Sequence, residues 1–242
     1  VAKGIFLNKN QNQKILDQIF DSELRDTLEY KYSDFPFIIL QKFLEKKYKL
    51  PLDKIAENKI FNPLKLKSTG FNPLRSNQQF EIIPSEIDNY FRKQELKGYV
   101  HDMAAAMFGG VAGHAGLFSN AKEIAIIMQM YLNKGTYNGN RFFSSKIFDD
   151  FNTCVYCDKN NRRGIGFDKP QISGSGSTCG CVSKSSFGHS GFTGTYTWAD
   201  PENGIVYVFL SNRTYPTMKN NLLIDHSIRT RIQKIIYDSI ID

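Results

Sequence analysis

The chain has 242 residues, 41% of them hydrophobic and 23% charged, which predicts a globular protein with a full core and excludes broad disorder. The net charge of +7 is spread over predicted helix faces, without a compact basic run or a known nucleic-acid motif, so nucleic acid is not an expected partner. No apolar run is long enough to cross a membrane, and the first residues lack the apolar core of a signal peptide.

The first half of the chain is predicted to be helical and irregular. Residues 12–22 and 52–61 predict short helices. A longer helix is expected after the turn at Tyr32-Ser33-Asp34, because apolar residues follow at helical spacing. The segment STGFNPL predicts a short strand and turn, and residues 73–98 are expected to be irregular and polar.

A glycine-rich stretch precedes the next helix. Glycines recur from Gly98 to Gly116, a pattern typical of backbone that passes close to backbone. A helix is predicted from about 121 to 133. We expect Ser119 to be its N-cap and Gly135 to be the C′ residue beyond its end.

The strongest strand prediction lies in the last third of the chain. The segment GTYTWADPENGIVYVFLSNR indicates two strands joined by a turn at Asp200–Gly204. The second strand, Ile205–Leu210, is apolar at odd and even positions alike, so both of its faces are expected to be buried. Helices must then lie on both sides, and residues 221–240 predict one of them. These elements predict an α/β layered domain around an antiparallel sheet.

The four cysteines form a C-x-x-C pair and a C-x-C pair within 28 positions: Cys154, Cys157, Cys179 and Cys181. Four thiolates at this spacing could hold a tetrahedral zinc ion. The pairs could equally form one or two disulfides in an oxidising compartment, or remain free thiols in a surface loop. The second pair lies in the flexible segment SGSGSTCGC, a composition poorly suited to a preformed metal site.

Three places carry residues that could do chemistry. Tyr32-Ser33-Asp34 precedes a helix, and a turn with an N-cap would also explain it. The glycine-rich stretch contains His114, and a tightly packed turn would explain that stretch. His189-Ser190-Gly191 opens a strand, where a single histidine is more often structural.

The order of these places resembles the serine β-lactamase-like family, which includes class C β-lactamases, D-Ala-D-Ala carboxypeptidases and related esterases. The motifs GYVHD, GGVAGHAGLFS, NRRGIGFDKP, FGHSGFTGTYTWADPE and VYVFLSNR look like a bacterial branch often fused behind a family 3 glycoside hydrolase. The resemblance runs from about Leu16 to the C-terminal helix. It implies a β-lactamase/transpeptidase-like fold, an antiparallel sheet flanked by helices on both faces.

The resemblance also implies a chemistry, in which a serine attacks a carbonyl and water hydrolyses the acyl-enzyme. Tyr32 takes the place of the tyrosine that serves as general base and acid. Asp34 stands where that motif usually has asparagine; a carboxylate cannot donate to a substrate carbonyl as an amide can.

The late strand motif is similar to the family's Lys-Thr-Gly triplet. His189 falls where many relatives carry lysine, and could polarise the tyrosine or meet a substrate carboxylate. Ser190 and Gly191 complete the triplet as binding positions, and Gly191 lets the strand edge approach the substrate. The backbone N–H of Phe192 would be one oxyanion-hole donor.

The nucleophile of the family belongs to a Ser-x-x-Lys motif upstream of the tyrosine. Only 31 residues precede Tyr32, and none of them forms this motif. The sole match in the chain begins at Ser119, on the other side of Tyr32, where an N-cap explains it. Residues 1–242 are therefore expected to be a single β-lactamase-like domain that lacks its N-terminal Ser-x-x-Lys segment and is inactive alone.

Two functions follow from this resemblance. The first is part of a serine hydrolase that cleaves an amide or ester, in a cell-wall peptide, a β-lactam-like molecule or a small ester, with its nucleophile outside this chain. The alternative is a non-catalytic peptidoglycan-binding or accessory module that retains the pocket. The resemblance implies no cofactor, export to the periplasm, and possible fusion to or association with a glycoside hydrolase domain.

Overall fold

The structure is a computed structural model that describes residues 1–8, 10–27, 29–75, 81–159, 161–171 and 176–240. The chain forms two compact units, Val1–Ser119 and Asn120–Asp242. Across the described ranges, no helix combines the length and the apolar character that a membrane span requires. The expectation of a single domain stays a prediction.

Three of the predicted helices lie in the first unit: α1 (Gln11–Phe20), α2 (Phe35–Tyr48) and α3 (Leu52–Ala56). The unit also contains α4 (Met103–Met107), which the sequence did not predict. The helix predicted over 52–61 is present, but its second half, Glu57–Phe61, winds as a π-helix. One core joins α1, α2 and α4 to the glycine-rich stretch, and its buried members are Leu16, Ile38, Val100, Ala105, Ala106, Phe108 and Ala112.

The first unit also contains four short strands in two antiparallel pairs. The predicted strand in STGFNPL is β1 (Gly70–Phe71), which pairs with β4 (Leu117–Phe118). The second pair is β2 (Glu86–Asp88) with β3 (Gln94–Leu96). The prediction that 73–98 is irregular was therefore wrong in its second half, while residues 76–80 lie outside the described residues. Glu86 and Asp88 are buried polar residues, so the hairpin lacks the apolar alternation that reveals a strand.

The second unit is built on a three-stranded antiparallel sheet. Its strands are β7 (Phe187–Ser190), β8 (Tyr196–Asp200) and β9 (Ile205–Phe209), with β8 in the centre. The register places His189 opposite Thr197 and Trp198 opposite Tyr207. The hairpin predicted around Asn203-Gly204 is confirmed. In β9 only Tyr207 is fully buried; the other four residues are half-buried, so the predicted burial of both faces was too strong.

Helices cover both faces of this sheet, as the sequence predicts. α5 (Ala121–Leu132) supplies Met128 to one face, where it packs with Phe187 and Ala199. α8 (Ile228–Asp238) supplies Ile232 to the other face, which is formed by Tyr196, Trp198 and Tyr207. The unit also contains β5 (Thr136–Tyr137), β6 (Asn140–Arg141), α6 (Ser145–Asn152) and α7 (Leu222–Asp225).

The predicted N-cap and the predicted C′ residue of α5 both differ from the structure. The N-cap of α5 is Asn120 and not Ser119, because the Asn120 side chain accepts a hydrogen bond from the Glu123 N–H at 3.0 Å. At the other end Lys134 is the left-handed C′ residue, and Gly135 follows it. The N–H of Gly135 donates to the Met130 carbonyl at 2.9 Å, which completes a Schellman motif one residue earlier than expected.

The helix predicted over 221–240 is two helices. α7 ends before His226, and Ser227 has a φ of 50°, in the left-handed region. A left-handed residue cannot continue a right-handed helix, so α8 begins anew at Ile228. The apolar stripe continues across the break, which is why periodicity does not reveal it.

Candidate functional site

Tyr32-Ser33-Asp34 leads directly into α2. The Ser33 hydroxyl oxygen accepts a hydrogen bond from the Phe35 N–H at 3.2 Å. The Asp34 carbonyl accepts from the N–H groups of Phe37 and Ile38, both at 3.1 Å. Asp34 is thus the N-cap by position, but its carboxylate makes no cap hydrogen bond.

The Asp34 carboxylate lies in a cluster with Asp102 and His114. One potential ligand atom from each of the three residues lies within 4.8 Å of the other two. His114 Nε2 is 3.0 Å from Asp102 Oδ1, and the His114 side chain is 3% exposed. Asp102 is the N-cap of α4, where it also accepts from the Ala105 N–H at 2.7 Å. These residue types could hold a divalent metal, but their contacts are those of a hydrogen-bonded pair, Asp102 and His114, beside a second carboxylate.

Hydrogen bonding keeps Asp102 ionised. Burial alone would raise the pKa of its carboxyl. The bonds from His114 and from the Ala105 N–H outweigh burial and lower that pKa. Asp102 therefore remains a carboxylate beside His114 over the physiological pH range.

Gln41 joins α2 to the glycine-rich stretch. Its side-chain amide donates to the Val111 carbonyl at 3.1 Å and accepts from the Gly113 N–H at 3.0 Å. A Cβ added at Gly113 would overlap the Phe37 carbonyl oxygen, so only glycine allows this approach. The predicted close passage of backbone past backbone is confirmed here, and it positions His114 beside the start of α2.

A cavity of about 400 Å³ lies within the first unit, next to the contact of Gln41 with the glycine-rich stretch. This volume falls in the range of small-molecule sites in proteins. Its lining is mainly apolar and comes from α2, the π-helical turn and the glycine-rich stretch. The largest lining residues are Phe37, Leu40, Leu44, Phe61, Phe71 and Leu117.

The second group of predicted site residues lies on β7 and in the turn after it. Ser190 is opposite Tyr196 in the register, and the Gly191 N–H donates to the Thr195 carbonyl at 2.8 Å. A Cβ at Gly191 would overlap the Thr195 hydroxyl, so any larger residue there would have to displace that side chain. Phe192 is 61% exposed at the tip of this turn.

Arg213 supports the turn from the following segment. Its Nε donates to the Phe192 carbonyl at 2.9 Å, and its guanidinium carbon lies 4.7 Å from the centre of the Phe192 ring. Arg213 therefore stabilises, through the Phe192 carbonyl, the turn that contains the expected oxyanion-hole N–H. Sequence reasoning did not single out Arg213.

The His189 imidazole contacts Arg163 through one ring nitrogen and the backbone of β7 through the other. Its Nε2 is 2.7 Å from Arg163 Nη1, and its Nδ1 is 2.7 Å from the Ser190 carbonyl oxygen. Burial lowers the pKa of this imidazole, and the Arg163 charge lowers it further. Arg163 was missed at the residue level, although it lies in the quoted motif NRRGIGFDKP.

The segment that contains Arg163 is joined to β7 by two backbone hydrogen bonds between Asp168 and Gly188. The Asp168 N–H donates to the Gly188 carbonyl at 2.8 Å, and the Gly188 N–H donates to the Asp168 carbonyl at 3.1 Å. The neighbouring Lys169 is buried and donates to the Asn152 side chain at 2.8 Å. Burial lowers the pKa of its ammonium to about 8.

The structure pairs the cysteines as two disulfides, Cys154–Cys157 and Cys179–Cys181. Each sulfur atom is bonded to the other one of its pair, which leaves no thiolate for the alternative zinc site. Of the open alternatives, the structure contains the disulfides.

The structure brings the predicted residues together within each unit. Tyr32 and Asp34 share the start of α2 in the first unit. The other four predicted residues, His189, Ser190, Gly191 and Phe192, are consecutive in the second unit. The Ser119 hydroxyl, from the sole Ser-x-x-Lys match, is 2.6 Å from the Thr69 hydroxyl in the first unit.

Comparison with known proteins adds to this geometry. A family model described as Beta-lactamase matches residues 4–227. A Salmonella enteritidis protein with the provisional name D-alanyl-D-alanine carboxypeptidase is 34% identical over 239 residues, which covers 88% of this chain and 54% of that protein. The chain thus spans about half the length of the curated relatives it matches.

Solved structures show the same fold at low identity. A β-lactamase from Mycobacterium bovis superposes with a TM-score of 0.58 at 16% identity, over 87% of this chain and 64% of that one. Simvastatin synthase from Aspergillus terreus gives a TM-score of 0.60 at 14% identity, over 95% of this chain and 63% of that one.

Proposed function

Because the chain belongs to the β-lactamase family, we propose that its protein is a serine hydrolase that cleaves an amide or ester through an acyl-serine. The family match over residues 4–227 is the observation that carries this proposal. It includes both the Tyr32 motif and the His189 motif.

A cell-wall peptide is the substrate class we favour. The Salmonella relative is named for D-alanyl-D-alanine cleavage, and it is 34% identical to this chain. Asp34 and His189 replace the asparagine and lysine expected of β-lactamases, which argues against a β-lactam drug as the natural substrate. Such a substrate places the enzyme in the periplasm or cell wall. Association with a glycoside hydrolase domain would suit the same substrate.

We assign Tyr32 as the general base and acid of the reaction. Tyr32 is 55% exposed, which suits a phenol that must reach a reacting group. His189 takes the place of the lysine in the late triplet, and the Phe192 N–H is one oxyanion-hole donor. Asp34, Ser190 and Gly191 are binding positions.

The nucleophile is proposed to come from a part of the protein outside this chain. Ser119 begins the sole Ser-x-x-Lys match, but its hydroxyl is hydrogen-bonded to Thr69 at 2.6 Å. The motif also stands on the wrong side of Tyr32 in chain order. The chain alone is therefore expected to be inactive.

Labelling with a fluorescent penicillin and with a fluorophosphonate tests this function. The whole protein should be acylated, and the 242-residue chain alone should not be. The Tyr32→Phe variant of the whole protein should lose at least about tenfold in acylation rate, because general catalysis contributes factors of about 10²–10⁴. Tyr30→Phe is the matched control, since Tyr30 is also exposed and lies two residues away. Acylation of the 242-residue chain by either probe would refute an external nucleophile.

A non-catalytic accessory module is the second candidate. The hydrogen bond between the Ser119 and Thr69 hydroxyls favours it, because this bond engages the one serine that matches the nucleophile motif. Such a module would bind a muropeptide ending in D-Ala-D-Ala and release no D-alanine from it. D-alanine release by the whole protein, abolished in Tyr32→Phe, would exclude this candidate.

A further inference from the structure

Residues 191–194 form the turn that leads from β7 to β8. The Gly191 N–H donates to the Thr195 carbonyl at 2.8 Å, and the Gly194 N–H donates to the Gly191 carbonyl at 3.1 Å. A trans peptide group is planar, with its carbonyl and its N–H on opposite sides. Since the Gly191 carbonyl is directed at Gly194, the N–H of Phe192 is directed away from the turn. The conformation of the turn therefore determines the direction of this N–H, whichever group accepts from it.

The segment that follows β9, residues 211–213, contacts three consecutive carbonyl groups of the 191–194 turn. The Ser211 hydroxyl donates to the Gly194 carbonyl at 3.1 Å. The Arg213 N–H donates to the Thr193 carbonyl at 2.8 Å. The Arg213 Nε donates to the Phe192 carbonyl at 2.9 Å. Together with the bond inside the turn, these contacts give every carbonyl of the turn a donor.

The 191–194 turn depends on such contacts because its own composition restrains it weakly. Gly194 has a φ of 109°, in the left-handed region that glycine adopts readily. Phe192 is exposed, so its side chain is not held in a core. A Cβ at Gly194 would overlap the Ser211 hydroxyl, which means that residues 211–213 pack directly against the turn. The hydrogen bonds from these residues supply the restraint.

The Arg213 guanidinium also joins the turn to the segment before α7. Its Nη1 donates to the Asn220 carbonyl at 2.9 Å and to the Met218 carbonyl at 3.2 Å. A guanidinium is planar and its N–H groups point in fixed directions, so these bonds also fix the direction of Nε–H toward the Phe192 carbonyl. The Phe192 ring packs on the same group, with its centre 4.7 Å from the guanidinium carbon. A lysine, with a single nitrogen, does not reproduce this arrangement.

We propose that Arg213 and Ser211 are positioning residues that hold the 191–194 turn in the conformation that directs the Phe192 N–H at the substrate carbonyl oxygen. The oxyanion role rests on the proposed function, whereas the restraint of the turn rests on the contacts alone. Neither side chain is required to touch the substrate. An oxyanion donor acts mainly on the transition state, so loss of Arg213 should slow acylation and leave substrate binding nearly unchanged.

Amide hydrogen exchange in the 242-residue chain tests the restraint of the turn. Arg213→Ala should accelerate exchange of the Gly194 amide at least about tenfold and leave the amides of α5 unchanged, because only the turn opens. Arg141→Ala is the matched control, since Arg141 also donates to a backbone carbonyl of the second unit, that of Phe143 at 3.4 Å. It should leave Gly194 exchange unchanged.

Two milder variants keep this test valid if Arg213→Ala does not fold. Arg213→Lys retains the positive charge and loses the planar fork, and Ser211→Ala removes only the bond to the Gly194 carbonyl. Each should accelerate Gly194 exchange by less than Arg213→Ala. Wild-type exchange of the Gly194 amide in all the folded variants of Arg213 and Ser211 would overturn the proposal.

The acylation kinetics of the whole protein with penicillin test the catalytic consequence. Arg213→Ala should lower the acylation rate constant by about 10- to 100-fold, since complete removal of an oxyanion donor costs about 10²–10³. The dissociation constant of the non-covalent complex should change by less than about twofold. Arg213→Lys should recover part of the rate, and Arg141→Ala should match the wild type. A loss confined to the dissociation constant would mean that Arg213 binds the substrate and does not position the turn.

Infrared spectroscopy of the acyl-enzyme gives a signature that a general loss of stability does not produce. A hydrogen bond to a carbonyl oxygen lowers its stretching frequency. The ester carbonyl band of acylated Arg213→Ala should therefore lie at a higher frequency than that of the wild type. A variant that is only less stable would give fewer acylated molecules with the same band. An unchanged band position would contradict the positioning role.

The outcomes separate this proposal from the proposed function. If neither probe labels the whole protein while Arg213→Ala accelerates Gly194 exchange, the hydrolase and the oxyanion role are refuted and the restraint of the turn stands. Labelling of the whole protein, with unchanged Gly194 exchange in Arg213→Ala, would refute the positioning role and leave the hydrolase intact.

Discussion

The Arg92 guanidinium lies 2.8 Å from the Asp88 carboxylate, and neither side chain is exposed to solvent. Arg92 also donates to the carbonyl oxygens of Val100 and His101, both at 2.6 Å. One side chain thus fixes the β2–β3 hairpin to the segment that leads into α4. Burial alone would raise the pKa of Asp88, but its hydrogen bonds from Arg92 and from backbone N–H groups lower it.

Removing the arginine should be strongly destabilising. Arg92→Met leaves the Asp88 carboxylate buried without its charged partner, and we expect it to lower the free energy of unfolding by about 3–5 kcal/mol. Urea denaturation measures this loss. Arg25→Met is the control, because the Arg25–Glu29 pair is on the surface and should contribute about 1 kcal/mol or less. Equal effects of the two variants would mean that the Arg92–Asp88 pair contributes no more than a surface pair.

The close approach of Gly113 to the Phe37 carbonyl predicts that one added carbon at Gly113 destabilises the fold. Gly113→Ala would force Cβ into the Phe37 carbonyl oxygen, and we expect a loss of about 1–3 kcal/mol in the free energy of unfolding. Gly70→Ala is the matched control, because a Cβ there meets nothing within 4 Å. Thermal unfolding of the two variants side by side would show the difference. An unchanged melting temperature for Gly113→Ala would show that the backbone at Gly113 and Phe37 can move apart without loss of stability.

Two histidines predict a loss of stability in mild acid. Burial lowers the pKa of both His101 and His189 in the folded protein. The unfolded chain then binds more protons between these lowered pKa values and the ordinary value of about 6.5. Stability is therefore full above about pH 6.5 and is lost as the pH falls through the folded pKa values.

The measurement is the free energy of unfolding from urea titrations between pH 5 and 8. The double variant His101→Gln and His189→Gln should flatten this dependence, because it removes both titrating groups. A second loss, below about pH 4, should persist in the variant, since the carboxyls of Asp102 and Asp200 have lowered pKa values in the fold. A variant that keeps the full loss between pH 6.5 and 5 would assign that loss to other groups.

The disulfides should contribute little to stability, because each closes a very short loop. The sequence separations are 3 and 2 residues, and chain entropy then gives about 2 kcal/mol or less for each bridge. Reduction with dithiothreitol should lower the melting temperature by only a few degrees, and Cys154→Ser with Cys157→Ser should match the reduced first bridge. A zinc-dependent rise in stability of the reduced protein would instead revive the metal alternative.

The sheet of the second unit was predictable because its signals are local. Asn203-Gly204 and the apolar run after it define a hairpin within a few residues. The β2–β3 hairpin was not predictable, since its buried Glu86 and Asp88 are stabilised by side chains that come from outside the two strands. Burial of polar residues depends on such partners, and a local pattern does not contain them.

The candidate site was predictable only in part for the same reason. His189 stands in a recognisable triplet, whereas Arg163 reaches it only through the bridge between Asp168 and Gly188. Ser119 and Asn120 are adjacent residues that both suit an N-cap, and only the hydrogen bond to Glu123 decides between them. Contacts across the chain therefore determine the details that motifs leave open.

Gln41 uses both ends of one amide on the same loop, as donor to Val111 and as acceptor from Gly113. Glutamate could only accept there, lysine could only donate, and methionine could do neither well. In a library of all substitutions at this position, selection for the folded protein should return glutamine almost alone. Gln41 is thus a site where the chemistry of hydrogen bonding, rather than size or hydrophobicity, limits sequence variation.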